Sequence, residues 1–396
     1  MNILIALEVG KGLGHLGRLH QLAKSLSAIG HRVTFILPIC GLLEKYFCLE
    51  FPLPYSVGNA PNTLYVLSSK RTKPRNYSEV LLASSFQNVE KTTCLINAWM
   101  RIFDQVKPDT VIYDAAPGAL LAYRDLAVKK VHIGDGFFLP PKKSPLPLFE
   151  SNKGHISEVI ESEKVLLEIL NWALELSGKP LLNAVYEIFE CDRELLLTYE
   201  ALDIYAQSRR GSQYYGYLDG GFGGRVADFR GGRPKKLIAY LNKDYKNLGV
   251  LLSVIESLPI DAIISIPGID SAEVDTFSSR HLQIFNEVID LNTSMQHADV
   301  FLCHGGHTTT SMAIRSGVPV VSLPMQREQF LTTKLVELRS LGVGCSPFAR
   351  ADQIKTKIVS ALQPKVKEAI GIFCVIHADL SEIEVLNTIV QSLLSV

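Results

Sequence analysis

Residues 298–329 read ADVFLCHGGHTTTSMAIRSGVPVVSLPMQREQ and decide the fold. A short apolar run, Val300 to Cys303, leads directly into His304-Gly305-Gly306 and then into a segment with helical spacing that begins near His307. A strand that enters a glycine turn at a helix N-terminus leaves several backbone N–H groups without an intrahelical partner, and the positive end of the helix dipole lies behind them. The stretch therefore predicts an anion-binding site.

The residues of this turn suit a diphosphate. Gly305 and Gly306 carry no Cβ, so a ligand can approach the backbone closely, and Thr308, Thr309 and Thr310 add hydroxyl donors in the first helical turn. The alternative is a capped helix whose threonines satisfy only the N–H groups of that helix. The residues of the turn alone favour neither interpretation.

The N-terminus shows a second arrangement of the same kind. Asn2 to Leu7 is an apolar run, a glycine-rich loop and a helical pattern follow, and Val33 to Ile39 forms the next run. This β-loop-α-β order predicts the opening of a doubly wound sheet. Residues 12–17, GLGHLG, also satisfy GxGxxG, but a dinucleotide site needs an acidic residue after the second strand, where Cys40-Gly41-Leu42 stands instead. We therefore do not predict NAD.

Further strand ends carry polar groups or glycine. Thr110 to Tyr113 delivers Asp114 into a turn, and Val131 to Ile133 leads to Gly134-Asp135-Gly136-Phe137-Phe138. Helical patterns are predicted over Tyr77 to Val106 and from Ile156 to about Gly178, and Leu195 to Thr198 is predicted to be a strand. In the second half five apolar runs predict the strands Leu237–Leu241, Ala262–Ile266, Leu282–Phe285, Val300–Cys303 and Val320–Leu323.

Strands that alternate with helices predict an α/β fold with two Rossmann-like, doubly wound parallel sheets. We expect domains at 1–215 and 235–396, joined by a glycine-rich linker at 216–234, with the final helix (about 380–394) packed back on the N-terminal domain. The cleft between two such domains is the expected ligand site.

Composition excludes several classes. The 396 residues contain 40 Lys+Arg and 40 Asp+Glu, and this neutral balance argues against a general nucleic-acid binder, although a local basic patch stays open. No N-terminal signal segment and no membrane span are predicted. Seven dispersed cysteines without CxxC spacing fit a reducing cytoplasm better than a disulfide framework or a zinc site.

The motifs together resemble those of the inverting GT-B glycosyltransferases, the family of UDP-glycosyltransferases and of antibiotic (macrolide-type) glycosyltransferases. The resemblance rests on GLGHLGRLHQLAKSLSAIGHRVTF, PDTVIYDAAP, LLLTYEALD and above all on residues 298–329. It implies two facing domains, with a nucleotide-sugar donor on the C-terminal half and a hydroxyl acceptor on the N-terminal half. The nucleotide sugar is a co-substrate, and no further cofactor is expected.

The resemblance also assigns roles. His15 matches the general base and Asp114 the carboxylate that fixes its tautomer. The donor diphosphate falls to His304, to Gly305, Gly306 and Thr308 to Thr310, and to Asn242, which replaces a Gly-Ser type turn. Glu328 and Gln329 match the pair that binds the donor sugar, whereas without the preceding GVP spacing they would be an ordinary helix start. The chain contains no Asp-x-Asp motif, so no metal is predicted.

Some features stay open. The aromatic residue that many relatives place before the HGG strand is absent from NEVIDLNTSMQHAD, so the nucleobase is unsettled between uridine and thymidine. Gly14, Phe137 and Phe138 are candidate acceptor-lining residues, while the 137–149 segment could instead contact the inner face of a membrane or be a solvated loop. The alternatives in function are a catalytically silent nucleotide-binding or auxiliary protein and a GT-B epimerase that acts on the nucleotide sugar itself. The sequence fixes neither the acceptor, small molecule or lipid, nor the oligomeric state.

Overall fold

A computed structural model describes residues 1–10, 12–39, 43, 53–61, 73–150, 156–209, 211–218, 220, 224–380 and 382–394. Cys40, Gly41 and Leu42, on which the argument against a dinucleotide rests, lie outside the described residues, as do residues 219 and 221–223 of the predicted linker. The described residues fall into two compact units. The first contains those of 1–220 together with 383–394, and the second contains those of 224–382.

The first unit is built on a six-stranded parallel sheet with the order β3-β2-β1-β4-β5-β6. Its strands are β1 Asn2–Leu7, β2 Arg32–Leu37, β3 Ser56–Asn59, β4 Thr110–Asp114, β5 Lys129–Gly134 and β6 Arg193–Leu196. All residues of β1 and β4 are buried, as expected for central strands whose two faces are both covered. The edge strand β3 was not predicted, because SVGN carries no apolar run.

Helices pack beside this sheet. They are α1 Leu13–Ala28, α2 Tyr77–Ala83, α3 Val89–Val106, α4 Pro117–Tyr123 and α5 Ile156–Leu176. The predicted stripe Leu19, Leu22, Ala23 and Leu26 of α1 is fully buried, and the helix is followed by Gly30 at a φ of 88°. The single helix predicted over 77–106 is wrong. It is two helices, because Asn88 caps α3 through a side chain that accepts from the N–H of Lys91 at 2.9 Å.

The second unit has a six-stranded parallel sheet with the order β12-β11-β10-β7-β8-β9. Its strands are β7 Lys235–Tyr240, β8 Ile260–Ser265, β9 Leu282–Phe285, β10 Val300–Cys303, β11 Val320–Ser322 and β12 Gly342–Gly344. The five predicted strands are confirmed within two residues, and β12, only GVG, was missed. The helices of this unit are α6 Leu248–Ser257, α7 Ser271–Phe277, α8 Leu291–Met295, α9 His307–Arg315, α10 Arg327–Leu338, α11 Ala351–Ala361 and α12 Pro364–Ile376.

Each unit is thus a doubly wound parallel sheet with helices beside it, and the predicted α/β fold with two Rossmann-like halves is confirmed. The last helix, α13 Glu382–Leu394, lies almost wholly in the first unit, where the Lys129 ammonium donates to the carbonyl of Leu393 at 2.8 Å. Among the described residues no helix is long and apolar enough to cross a bilayer.

Glu8 joins four elements of the first unit from the carboxyl end of β1. Its buried carboxylate accepts hydrogen bonds from the indole N–H of Trp99 (3.0 Å), from the backbone N–H groups of Gly118 (2.7 Å) and Ala119 (3.3 Å), and from the hydroxyl of Ser85 (3.3 Å). Burial raises the pKa of Glu8 to about 7, against the opposing effect of these donors. The motifs of the sequence gave no indication of this tie.

The raised pKa predicts a pH-dependent stability. A carboxyl group whose pKa is higher in the folded protein stabilises it fully below the unfolded pKa, and this contribution is lost as pH rises through the folded pKa. Between about pH 4.5 and pH 7 the free energy of unfolding of the first unit should therefore fall by about 3 kcal/mol more in the wild type than in Glu8→Gln. Urea unfolding followed by tryptophan fluorescence measures it, since both tryptophans lie in this unit. Identical pH slopes in the two proteins would contradict the assignment.

Candidate active site

His15 and Asp114 meet at the carboxyl edge of the first sheet. His15 lies in the first turn of α1, directly after the loop that leaves β1, and Asp114 is the last residue of the neighbouring strand β4. The imidazole Nδ1 lies 3.0 Å from Oδ1 of Asp114, whose side chain is fully buried, while the His15 side chain keeps 13% of its surface exposed. The structure therefore brings the two predicted residues together.

Gly10 and Phe138 fix the position of the imidazole. Gly10 has a φ of 128°, and a Cβ at this residue would lie 3.0 Å from Cδ2 of His15. The Phe138 ring meets the His15 ring edge-on at 4.9 Å between centroids. The loop before α1 thus requires glycine at residue 10, because a side chain there would collide with the His15 ring. Gly14, the residue before His15, is half-buried.

A third group, Arg18, was missed by the sequence analysis. Its side chain is buried and makes two bonds to Asp114, from Nε to Oδ2 at 2.6 Å and from Nη2 to Oδ1 at 2.7 Å. Burial by itself raises the pKa of Asp114, but the Arg18 charge, followed by His15, outweighs it and holds that pKa well below its ordinary value. The available signal was the position of Arg18 on the apolar face of α1, four residues before the buried Leu22.

Phe137 and Phe138 lie mostly in an aromatic cluster. Their side chains are buried, Phe137 packs against Tyr77 with centroids 5.5 Å apart, and it stacks on Phe149 at 5.2 Å. In the loop that follows, Lys142 forms an ion pair of 2.9 Å with Glu194. The two phenylalanines therefore contribute to the packing behind His15.

The predicted anion site lies in the second unit, where β10 ends and α9 begins. Gly305 has a φ of 77°, and Gly306 is the N-cap residue without a side-chain cap. The first backbone hydrogen bond of the helix runs from the N–H of Thr310 to the carbonyl of Gly306 at 3.0 Å. In an α-helix the amides of the first turn, here those before Thr310, have no partner within the helix.

The three threonines of this turn differ in their surroundings. The Thr309 hydroxyl donates to the carbonyl of Gly306 at 3.2 Å. Thr310 is fully buried, with its hydroxyl 3.9 Å from Sγ of Cys303, whereas Thr308 is half-buried. The Thr310 hydroxyl thus lies in the core of the unit, and Thr308 and Thr309 are the hydroxyl groups nearest to solvent.

His304 and Asn242 bind each other. Nδ1 of His304 lies 2.8 Å from the carbonyl oxygen of Leu323, which can only accept, so Nδ1 carries the proton. Nε2 then accepts from the backbone N–H of Asn242 at 2.9 Å. Burial lowers the pKa of His304, with a smaller opposing effect of the Leu323 carbonyl. In this arrangement the hydrogen on Nδ1 is bonded to Leu323 and Nε2 carries no hydrogen, so neither nitrogen can donate a hydrogen bond to a phosphate.

Gln329 caps its own helix. Its Oε1 accepts from the backbone N–H groups of Met325 (2.8 Å) and Gln326 (3.2 Å), so the side-chain amide closes the N-terminus of α10. The amide nitrogen is the end that can donate to a ligand. Glu328, in the first turn of the same helix, is half-buried. In the described part of the chain no three His, Cys, Asp or Glu side chains come together as a metal site would require.

Known proteins support the fold. No family model matches the chain. A segment of 122 residues is 27% identical to the PGL/p-HBAD biosynthesis glycosyltransferase of Mycobacterium tuberculosis. This segment covers 30% of this chain and 26% of that protein. A segment of 49 residues is 43% identical to the NDP-glycosyltransferase YjiC of Bacillus subtilis, 12% of each chain. The chain thus spans about a quarter of the first relative and about an eighth of the second.

Solved structures match over almost the whole length. The glycosyltransferase of kitacinnamycin aligns with a TM-score of 0.72 and 18% identity over 98% of both chains. CalG4, the calicheamicin glycosyltransferase, aligns with a TM-score of 0.71 and 16% identity over 99% and 98% of the two chains. The chain shares the fold of these antibiotic glycosyltransferases. Spinosyn rhamnosyltransferase SpnG, whose structure contains thymidine diphosphate, aligns at a TM-score of 0.67 with 14% identity over 99% of this chain and 100% of that one.

Two glycines with the same φ test the close packing of residues 304–306, the turn between β10 and α9 that we call the anion turn. A Cβ at Gly305 would lie 2.8 Å from Oγ1 of Thr333 and 3.0 Å from the Gln329 carbonyl oxygen, while a Cβ at Gly317, also at φ 77°, meets nothing within 4 Å. Gly317→Ala should cost roughly 1–2 kcal/mol for the left-handed backbone. Gly305→Ala should cost this and roughly 1–3 kcal/mol more for overpacking. Equal losses in urea-induced unfolding of the two variants would show that the turn has room for a side chain.

Proposed function

We propose that the protein is an inverting glycosyltransferase that moves a hexose from a UDP- or dTDP-sugar to a hydroxyl group of a small-molecule or lipid acceptor, without a metal ion. The observation that carries the proposal is the 3.0 Å contact of His15 Nδ1 with the buried Asp114 carboxylate, which leaves Nε2 as the outer nitrogen of the ring. An imidazole held by a carboxylate through Nδ1 is the arrangement of a general base.

The base step follows from the tautomer. When Nδ1–H donates to Asp114, the lone pair of Nε2 accepts the proton of the acceptor hydroxyl as its oxygen forms a bond to the anomeric carbon. The bond from that carbon to the diphosphate oxygen breaks in the same step, and the electron pair leaves with the nucleoside diphosphate. A single displacement of this kind inverts the anomeric configuration.

The leaving group gathers negative charge, and the start of α9 is suited to hold it. The backbone N–H groups from Gly306 to Thr309 and the positive end of the helix dipole would bind the diphosphate, with Thr308 and Thr309 as the nearest hydroxyls. A direct contact from His304 would require its bond to the Asn242 N–H to open, so we assign His304 the role of holding the Asn242 turn against the anion turn.

The donor sugar would lie at the start of α10. The Glu328 carboxylate can accept from sugar hydroxyls, and the Gln329 amide nitrogen can donate while its oxygen stays on the helix cap. The structure of SpnG contains thymidine diphosphate, and the Bacillus relative is an NDP-glycosyltransferase; both support a nucleoside diphosphate as the leaving group.

The proposal is tested by incubating the protein with UDP- and dTDP-sugars and a panel of hydroxyl acceptors. We expect acceptor-dependent release of the nucleoside diphosphate and a product whose anomeric configuration, measured by NMR, is opposite to that of the donor. His15→Ala should reduce this rate by about 10²–10⁴-fold, because it removes the base. It should leave the donor-induced rise in melting temperature unchanged, because the donor site lies in the other unit.

His31→Ala is the matched control, since His31 is a half-buried histidine of the same unit that follows α1. It should keep the full rate. Interconversion of the nucleotide sugar without any acceptor would identify an epimerase instead. Donor binding with no turnover on any acceptor of the panel would contradict the proposed base mechanism. So would full transfer by His15→Ala.

A further inference from the structure

Arg18 contacts both members of the proposed base pair. Its Nη2 lies 2.7 Å from Oδ1 of Asp114 and 2.8 Å from Nδ1 of His15, while Nδ1 and Oδ1 are 3.0 Å apart. The three atoms form a tight triangle at the carboxyl edge of the first sheet. Arg18 and His15 are three residues apart on α1 and therefore share one face of the helix.

This triangle offers the imidazole two hydrogen-bonding states. Guanidinium nitrogens only donate and carboxylate oxygens only accept, so Nδ1 either carries a hydrogen and donates to Asp114 or is bare and accepts from Arg18. The first state leaves the Nε2 lone pair free to take a proton. In the second state Nε2 carries the hydrogen, and the ring cannot act as a base.

The other groups near the pair add little charge. Phe138 covers the ring edge-on, and His132 on the adjacent strand β5 is neutral, because burial lowers its pKa to about 4. Glu8, at the end of β1, directs its carboxylate to Trp99 and to the amides of α4. Lys11 lies outside the described residues. Asp114 and Arg18 are thus the charged groups that the described structure places against His15.

We propose that Arg18 is a positioning residue that competes with Asp114 for Nδ1 of His15 and so sets which tautomer of the neutral imidazole is populated. This inference rests on the proposed function for its catalytic meaning. Its structural content, the effect of Arg18 on the His15 proton, is open to measurement without turnover.

The test is NMR spectroscopy of the protein labelled with ¹⁵N-histidine, in which the His15 signals are assigned by their loss in His15→Gln and the ¹⁵N shifts report the tautomer of the ring. Arg18→Met removes the contact with Nδ1, so the fraction of the Nδ1–H tautomer of the neutral ring should increase. Lys24→Met removes one positive charge from the exposed side of the same helix and should leave the tautomer fraction at the wild-type value.

Arg18→Lys is a second variant that is expected to fold even if Arg18→Met does not, because it keeps a positive charge beside the buried Asp114. A single ammonium cannot reproduce the two-bond geometry and the contact with Nδ1, so the fraction of the Nδ1–H tautomer should increase here too, by a smaller amount. If Arg18→Met and Arg18→Lys show the same tautomer fraction as Lys24→Met, the inference is wrong. If Arg18→Met fails to fold, Arg18→Lys decides alone.

Turnover distinguishes this inference from the proposed function. Where transfer is found, the rates of the wild type, Arg18→Lys and Arg18→Met should follow their fractions of the Nδ1–H tautomer, because only this tautomer leaves the Nε2 lone pair free. A rate lost without a change in the tautomer fraction would show a merely structural role and would contradict the inference. If no acceptor is glycosylated, the proposed function fails, yet the NMR tautomer fractions still decide the role of Arg18.

Discussion

The two candidate sites depend on one constraint, the parallel direction of the strands in each sheet. Parallel strands end at a common edge, so residues far apart in sequence meet there without any local motif. In the first unit this edge joins the β1 loop and the start of α1 to Asp114 of β4. In the second it joins Asn242, which follows β7, to His304 after β10 and to the Leu323 carbonyl after β11.

Burial and nearby charge then determine the pKa of the two carboxylates at the carboxyl edge of the first sheet. Glu8 and Asp114 follow or end neighbouring strands and are both buried, yet their pKa values shift in opposite directions. The donors Trp99, Gly118, Ala119 and Ser85 are neutral, and burial outweighs their effect, so the pKa of Glu8 rises. Asp114 meets the Arg18 guanidinium, and this charge outweighs burial. The Glu8 carboxylate therefore joins secondary-structure elements, whereas the Asp114 carboxylate lies 3.0 Å from Nδ1 of His15.

The sequence predicted the features that have a regular pattern. Central strands such as β1 and β10 are apolar runs, and their glycine turns identify the helix starts that follow. It missed β12, whose three residues carry no pattern, and the break between α2 and α3, which depends on a cap at Asn88. The sequence could not predict three contacts: Arg18 with Asp114, the capping of α10 by Gln329, and His304 with Asn242. Each side chain has several possible hydrogen-bond partners, and only the three-dimensional fold determines which of them lies within bonding distance.

The proposed mechanism requires that the start of α9 binds a nucleoside diphosphate while His15 acts as the base. The most direct measurement is a crystal structure of the protein with UDP or dTDP. It should show diphosphate oxygens within hydrogen-bond distance of the backbone N–H groups from Gly306 to Thr309, with the His15–Asp114–Arg18 contacts unchanged. A diphosphate bound elsewhere, with these amides facing solvent, would contradict the proposed mechanism.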